Sequence, residues 1–322
     1  MRWFFVAHFS GILNIKLVFY LDFCRKIIVS NQQLKWGYLI ILSLLWGSSF
    51  MLIKKGLVGL NPIQLGAFRT LLASVFLLII GFKKLKAIKR HEWKWITISG
   101  FLGSLFPTFL FAYAETEIHS GVAAILNSLV PLIAFVVGIL FFGGMFVKKQ
   151  FLGVVIGLIG SVALILLGAK HNPDQNYWYG ILPVIASTMY AFNANIIKNY
   201  LEQIHALGIA TASFAVLLIP SLIILLFSGF FNTEFLGQAE VQKSILYISL
   251  LGIFGTALAK IIFNRIIQLS NAVFSTSVTY LIPIVALVWG VLDGEKFSLL
   301  QLAAGGVILA GVFLANKKKK QN

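Results

Sequence analysis

The residues with the clearest chemical meaning form a row at four-residue spacing inside an apolar stretch: Gly252, Thr256, Lys260, Asn264 and Gln268. Residues four apart share one face of a helix, so the row predicts a helix with a single small and polar face. In a membrane span, a central charge costs about 2.5–3.5 kcal/mol and therefore needs a cavity or a partner. Lys260, supported by Thr256 and Asn264, is thus a candidate contact for an anionic group. The alternative is that this lysine reaches the membrane surface with its long side chain.

Arg69 is the second cation inside an apolar stretch, seven residues after Pro62. Arginine stays charged, and its planar fork suits carboxylates and phosphates. Two interpretations stay open. The first is an anion contact near one membrane surface. The second is a structural clamp that binds backbone carbonyls or an acid such as Glu115 or Glu117.

Further candidate binding residues are polar or aromatic side chains within apolar stretches: Trp46, Thr108, Asn127, Tyr190, Asn193 and Tyr280. The three aromatic residues would form walls of a binding site. Asn193 and Asn195 point about 200° apart on a helix, so at most one of them faces such a site. Pro131 and Pro283 predict helix kinks that could serve gating. For any single Thr or Asn, hydrogen bonding between helices is the alternative.

Composition indicates the environment of these residues. Hydrophobic residues make up 59% of the chain and charged residues 11%, and the mean hydropathy is +0.93. These values lie far from those of soluble domains. The net charge of +16 would suit a nucleic-acid partner, but the lysines cluster in short gaps between apolar runs. We therefore predict an all-α polytopic membrane protein with no nucleic-acid partner.

Missing chemistry narrows the function. Cys24 is the single cysteine, so an internal disulfide and a cysteine-based zinc site are excluded. The five histidines lack metal-ligand spacing, and motifs for a nucleophile, a zinc protease or a phosphate-binding loop are missing. The apolar stretches hold no central carboxylate, because Glu115 and Glu117 fall at a predicted outer boundary. We expect no enzyme activity, no metal and no cofactor.

Ten stretches are long enough to cross a bilayer, which takes about 20 apolar residues. They are 35–55, 62–82, 94–114, 120–142, 149–168, 178–198, 206–230, 243–266, 271–292 and 298–316. With a cytoplasmic N-terminus, 19 lysines and arginines fall on the inner side and five on the outer side. This imbalance predicts that both termini are cytoplasmic in a cell inner membrane.

The second half of the chain repeats the first. A shift of 152 residues aligns Gly100–Leu140 with Gly252–Leu292 without a gap, and a shift of 144 aligns Trp46–Lys54 with Tyr190–Lys198. Two related five-span halves cross the bilayer in opposite senses, which predicts inverted repeats with a substrate site between them.

The predicted domains are a five-helix repeat at 34–170, a second at 171–316 and a basic cytoplasmic tail at 317–322. The remaining segment, 1–33, has no counterpart in the second half. We interpret it either as an interfacial helix or as an over-called translation start.

Short motifs near both ends carry a family resemblance. They are Trp46-Gly47-Ser48-Ser49-Phe50, Asn61-Pro62, Phe68-Arg69 and Ala73, then Leu292-Asp293-Gly294-Glu295-Lys296-Phe297-Ser298, Gln301 and Gly311. In this order, and with the repeat, the chain resembles the EamA-like family of the drug/metabolite transporter superfamily over about 34–316. One departure is Gly143-Gly144-Met145, which stands where the second half has Gly294-Glu295. The resemblance implies ten helices and the export or exchange of small metabolites, without implying a particular substrate.

These observations together predict a secondary active transporter that works by alternating access. Its substrate would be a small anionic or zwitterionic metabolite, such as an amino-acid-like compound. The alternatives are a lipid-headgroup carrier or flippase, and a membrane scaffold that transports nothing. The expected partners are the substrate and the lipid bilayer, and homodimerisation is left open.

Overall fold

The structure is a computed structural model that describes residues 31–118, 120–169, 176–292 and 299–316. The chain divides into two compact units, Met1–Gly37 and Tyr38–Asn322. Of the first unit, residues 31–37 are described, and they are helical. The predicted extension at 1–33 therefore falls mostly outside the described residues, as does the basic tail at 317–322. The site discussed below belongs to the second unit, as do the helices from residue 38 onward.

The described part of the chain is helical, as the sequence predicts. Its helices are α1 Asn31–Gly56, α2 Pro62–Gly81, α3 Glu92–Ala114, α4 Ser120–Asn127, α5 Val130–Phe142, α6 Lys148–Ala169, α7 Ile181–Tyr200, α8 Ala206–Phe227, α9 Thr233–Leu236, α10 Ala239–Leu269, α11 Ala272–Thr276, α12 Ile282–Leu292 and α13 Leu299–Asn316. Short 3-10 turns add Phe82–Ala87, Tyr177–Gly180 and Ser277–Tyr280.

Six helices within the described residues are long and apolar enough to cross a membrane. They are Gln32–Gly56, Pro62–Ala87, Glu92–Ala114, Trp178–Tyr200, Ala206–Phe227 and Ala239–Leu269. Large apolar side chains cover much of the outside of the protein, such as Ile79 at 76% exposure and Phe227 at 89%. An apolar exterior of this extent indicates contact with lipid.

Local sequence signals explain several helix ends. Asn61 caps α2 by accepting a hydrogen bond from the Gln64 backbone N–H, and the Gln64 side chain in turn accepts one from the Asn61 N–H. Pro62 at the first helical position completes this start. Helix α5 ends at Phe142, and the Gly143 that follows has a positive φ of 64°, which suits a residue without a Cβ atom.

Two predicted spans are each built from broken helices. The stretch 120–142 contains α4 and α5, separated at Ser128 and Leu129, and the stretch 271–292 contains α11, the Ser277–Tyr280 turn and α12. Pro131 and Pro283 are each the second residue of the helix that follows the break. A proline there loses no helical hydrogen bond, so the bend lies before each proline.

Helices α3 and α10 each contain a π-helical segment, at Phe101–Leu105 and Leu251–Leu258. Position 101 shifted by 152 becomes 253, so the two segments overlap under the shift found in the sequence. A π segment inserts one residue into a turn and disturbs the regular hydrogen-bond ladder, and such segments often occur at functional sites.

Candidate functional site

A cavity of about 90 Å³ lies among residues of both halves of the chain. Its lining residues come from five helices, α1, α2, α3, α7 and α10. Others lie beside the break between α4 and α5 and the break between α11 and α12. Since one water needs about 10–15 Å³ by this measure, the cavity has room for about six to nine waters. A small polar molecule fits in that space.

Sixteen of the twenty residues that line the cavity form eight pairs at the two sequence shifts. The shift of 152 relates Gly103 to Gly255, Ser104 to Thr256, Thr108 to Lys260, Phe111 to Phe263, Asn127 to Thr279 and Val130 to Ile282. The shift of 144 relates Trp46 to Tyr190 and Ser49 to Asn193. The sequence repeat is therefore also a repeat of the cavity wall.

The ring contacts follow the same pairing. Trp46 of the first half packs against Phe263 of the second, with ring centroids 5.3 Å apart. Tyr190 of the second half stacks on Phe111 of the first, at 6.2 Å and an angle of 19°. These two aromatic pairs exchange under the repeat, so each half supplies one large ring and one phenylalanine.

Lys260 is the charged group of this cavity wall on α10. The residue is 5% exposed, its Nζ donates a hydrogen bond to the Gly103 carbonyl at 2.8 Å, and it lies 6.0 Å from the Phe263 ring centroid. The side chain thus crosses toward α3 of the other half. In this conformation it does not extend along α10 toward the helix end at Leu269, the direction that a surface-seeking lysine takes.

The carbonyl that accepts from Lys260 is available because of Pro107. In a regular helix the Gly103 carbonyl would accept from the residue four positions later, but proline has no N–H. The equivalent Gly255 carbonyl accepts from Trp46 Nε1 at 3.0 Å. There the π segment is responsible, since the Ala259 N–H donates to the Phe254 carbonyl five residues back.

Arg69 joins the two halves from α2. Its Nε donates to Thr256 Oγ1 at 2.6 Å, and this hydroxyl in turn donates to the Leu251 carbonyl at 3.0 Å. The sequence-based clamp interpretation expected a backbone carbonyl, Glu115 or Glu117 as the partner. The Thr256 hydroxyl takes that role, and Arg69 is also one of the residues that line the cavity.

Two asparagines that line the cavity each have a buried polar atom without a hydrogen-bond partner. Asn193 accepts from Ser99 at 2.6 Å, whereas its Nδ2 is buried without a hydrogen-bond partner. Oδ1 of Asn127, at the end of α4, is likewise buried and unpaired. Asn195 points away and donates to Ala134 on α5, which is the angular separation expected from a helix. A buried unpaired polar atom is costly unless a ligand or water satisfies it.

Two predicted site residues lie outside the cavity lining. Tyr280 is fully buried and its hydroxyl donates to the Val154 carbonyl on α6 at 3.1 Å, so it packs between helices and forms no wall of the cavity. Asn264 donates to Ala206 at the start of α8. Four residues turn a helix by about 400°, so each step of the four-residue row rotates about 40° further from Lys260.

Glu115 follows directly after α3, at the span end where the sequence places it. The sequence does not indicate the direction of its carboxyl, which points into the protein. Oε2 accepts from Ser120 at 2.7 Å, and Oε1 is buried without a hydrogen-bond partner. Hydropathy counts locate the end of a span and give no information on where the next side chain points.

The charges of the site have one sign. Lys260 and Arg69 line the cavity, and the lining residues include no aspartate or glutamate. No group of three or more metal-ligating side chains occurs among the described residues. A buried cation is costly without a counter-charge.

Apolar helices around a polar cavity that both halves of a chain line are the construction of a membrane transporter. The sequence comparisons agree with this class. The model of the EamA-like transporter family matches two segments, residues 35–166 and 178–317. The chain belongs to the EamA-like transporter family.

Its relatives carry transporter names. The uncharacterized inner membrane transporter YedA of Escherichia coli is 27% identical over 289 residues, which cover 88% of this chain and 91% of that protein. The uncharacterized transporter YdfC of Bacillus subtilis is 29% identical over 86% of this chain and 90% of its own length. A probable terminal-alkyne amino-acid exporter of Streptantibioticus cattleyicolor is 24% identical over 87% and 92%.

A solved crystal structure has the same fold. It superposes with a TM-score of 0.69, at 17% sequence identity, over 89% of this chain and 97% of that one. At this identity the likeness concerns the fold alone.

Proposed function

We propose that this protein is a secondary transporter of a small anionic or zwitterionic metabolite, and that the cavity around Lys260 is its substrate site. The observation that carries the proposal is the buried Lys260 ammonium, which donates one described hydrogen bond, to Gly103, in a cavity lined by no carboxylate. An ammonium group has three donors, so a substrate carboxylate or phosphate can take the others.

The unpaired amide atoms support a substrate with two kinds of group. Asn193 Nδ2 can donate to a carboxylate beside Lys260, and Asn127 Oδ1 can accept from an ammonium group. A zwitterion such as an amino acid offers both, and the space for about six to nine waters suits its size. The amino-acid exporter among the relatives adds weight to this class of compound.

The transport mechanism follows from the repeat. We infer ten spans, in which α4 with α5 and α11 with α12 each count as one, arranged as inverted halves at 34–170 and 171–316. The double match to one family model and the eight paired lining positions support this arrangement. Rocking of the halves about the cavity would then expose the substrate alternately to each side.

The orientation rests on charge. We propose that the protein lies in the inner membrane and that both termini face the cytoplasm. With this orientation, 19 lysines and arginines lie on the inner side and five on the outer side. We therefore propose a carrier and not an enzyme. Transport requires groups that bind the substrate and two conformations of the protein, but it requires no residue that reacts.

The test compares metabolites inside and outside cells that express the wild type, Lys260→Ala, Lys243→Ala or no transporter. Lys243 is an exposed lysine on the same helix, so Lys243→Ala is the matched control. We expect one water-soluble anionic or zwitterionic compound to redistribute with the wild type and with Lys243→Ala, and not with Lys260→Ala. An effect that survives Lys260→Ala would remove the site from the proposal. A released lipid headgroup would favour a lipid carrier, and no redistribution at all would favour a scaffold.

A further inference from the structure

Glu115 lies one helical turn beyond the cavity. Its N–H donates to the carbonyl of Phe111, which lines the cavity, so the two residues are neighbours on one face of α3. The residue as a whole is partly accessible, whereas its Oε1 atom is buried and has no hydrogen-bond partner. The acid therefore presents its carboxyl to the protein interior.

The described groups around this carboxyl are one hydroxyl and two cations. Ser120 on α4 donates to Oε2 at 2.7 Å, and Arg69 on α2 and Lys54 on α1 act on the carboxyl through their charge. Tyr190 on α7 interacts electrostatically with the same arginine. Burial raises the pKa of Glu115 to about 8, although Ser120, Arg69 and Lys54 each oppose that rise.

Arg69 connects this acid with the substrate site. Arg69 is one of the residues that line the cavity, and its Nε donates to Thr256. Of the five donors of an arginine, the described hydrogen bonds use this one. The remaining donors and the charge can serve either the ionised carboxyl of Glu115 or an anion in the cavity.

We propose that Glu115 is a proton-binding site whose protonation makes the charge of Arg69 available to an anion in the cavity. The inference deepens the proposed function, on which its second half rests. Glu115 takes one proton from water and becomes a neutral carboxylic acid, and it returns that proton when it ionises. Ionised Glu115 partly neutralises Arg69, whereas protonated Glu115 does not. Linkage is reciprocal, so a proton on Glu115 and an anion beside Arg69 favour each other.

The experiment is an infrared titration of the purified full-length protein in lipid nanodiscs, from about pH 6 to about pH 10, with no substrate present. The signal is the carbonyl stretch of a protonated carboxylic acid. We expect a band in the wild type that disappears with a midpoint near the pH of about 8 given by the pKa of Glu115. The band should be lost in Glu115→Gln. It should persist in Glu117→Gln, which makes the same change at an exposed position two residues away.

A second variant tests the link to Arg69. Its positive charge favours the ionised carboxyl, so Arg69→Gln should move the midpoint of the band to higher pH. A wild type without such a band, or a band that persists in Glu115→Gln, would overturn the proton site. A midpoint unmoved by Arg69→Gln would overturn the link. Because the readout needs neither substrate nor transport, its failure is distinct from a failure of the proposed function.

Discussion

The cavity wall from α3 and the cavity wall from α10 have a glycine, a hydroxyl and a phenylalanine at matching positions: Gly103 and Gly255, Ser104 and Thr256, Phe111 and Phe263. They differ in charge at one pair of equivalent positions, since α3 has the neutral Thr108 and α10 has Lys260. The scaffold of the cavity is thus duplicated, whereas its charge is not.

In both walls the carbonyl of the equivalent glycine, Gly103 or Gly255, lacks its usual helical hydrogen bond, for a different reason in each. On α3, Pro107 removes the N–H that would bind the Gly103 carbonyl, and Lys260 takes its place. On α10, the π segment redirects the Ala259 N–H, and Trp46 binds the Gly255 carbonyl. A shared backbone feature thus serves a charged group on one side and an aromatic ring on the other. The two sides of the cavity therefore differ in charge.

The largest effect should come from the position where the walls differ. Lys260→Ala removes a charged partner of a buried hydrogen bond, which costs about 2 kcal/mol or more, so transport should fall at least about 30-fold. Thr108→Ala removes a neutral hydroxyl worth about 0.5–1.5 kcal/mol and should cost at most about tenfold. Initial rates in proteoliposomes, with the metabolite found in the cell comparison, measure both. Equal losses in the two variants would mean that the charge asymmetry has no functional weight.

The paired glycines test whether the two walls are equally tight. A Cβ on Gly103 would lie 2.5 Å from Asn193 Cγ, and a Cβ on Gly255 would lie 2.7 Å from Ser49 Oγ. Overpacking costs about 1–3 kcal/mol, so Gly103→Ala and Gly255→Ala should each lower transport about tenfold. Gly103→Ala should be worse, because Ser99 holds the Asn193 amide.

Gly305→Ala is the control for the glycine pair, since a Cβ there meets nothing within 4 Å. Its transport rate should equal that of the wild type. If Gly103→Ala and Gly255→Ala also transported the substrate at the wild-type rate, the close packing of the two walls would be irrelevant to function.

A smaller effect should distinguish the two aromatic walls. Trp46→Phe removes the indole N–H that binds the Gly255 carbonyl, at a cost of about 0.5–1.5 kcal/mol, so transport should fall a few-fold. Tyr190→Phe keeps the ring that stacks on Phe111 and should cost less. The same proteoliposome assay compares the two variants. A larger loss of transport in Tyr190→Phe than in Trp46→Phe would contradict this expectation.

The smallest effect on transport should come from Tyr280, which lies behind the wall. Tyr280→Phe loses the hydrogen bond to Val154, so it should lower the free energy of unfolding by about 1 kcal/mol and Tm by about 2 °C. The transport rate per folded molecule should stay unchanged. Thermal unfolding in detergent measures the first effect, and a loss of transport at wild-type Tm would return Tyr280 to the substrate site.

The repeat and the helical class could be predicted from the sequence, because aligned residues and apolar runs of span length are local signals. Trp46, Tyr190, Thr108 and Lys260 were accordingly found as candidates, and all four line the cavity. The same local signal placed Asn264 with Lys260, which assumed that a row of four-residue steps stays on one face.

The remainder depends on contacts that a single sequence does not encode at fixed spacing. The π segment on α10 has no sequence signature, so the free carbonyl of Gly255 could not be expected. Pro107 frees the carbonyl of Gly103, but nothing in the sequence indicates that Lys260 binds it. Tyr280 hydrogen-bonds to Val154, and the Glu115 carboxyl accepts from Ser120 and has its other oxygen buried. Both results come from the way helices distant in the chain pack together.

Moving the lysine across the cavity tests the central claim most directly, which is that two equivalent walls share one charge. The variants are Lys260→Thr, the double variant Thr108→Lys with Lys260→Thr, and a control that combines Thr276→Lys with Lys260→Thr. Thr276 also lines the cavity but has no repeat partner there. At matched amounts of protein in proteoliposomes, we predict that Lys260→Thr abolishes transport, that the Thr108→Lys double variant regains a measurable part of it, and that the Thr276→Lys control stays inactive. Two equally inactive double variants would contradict the account.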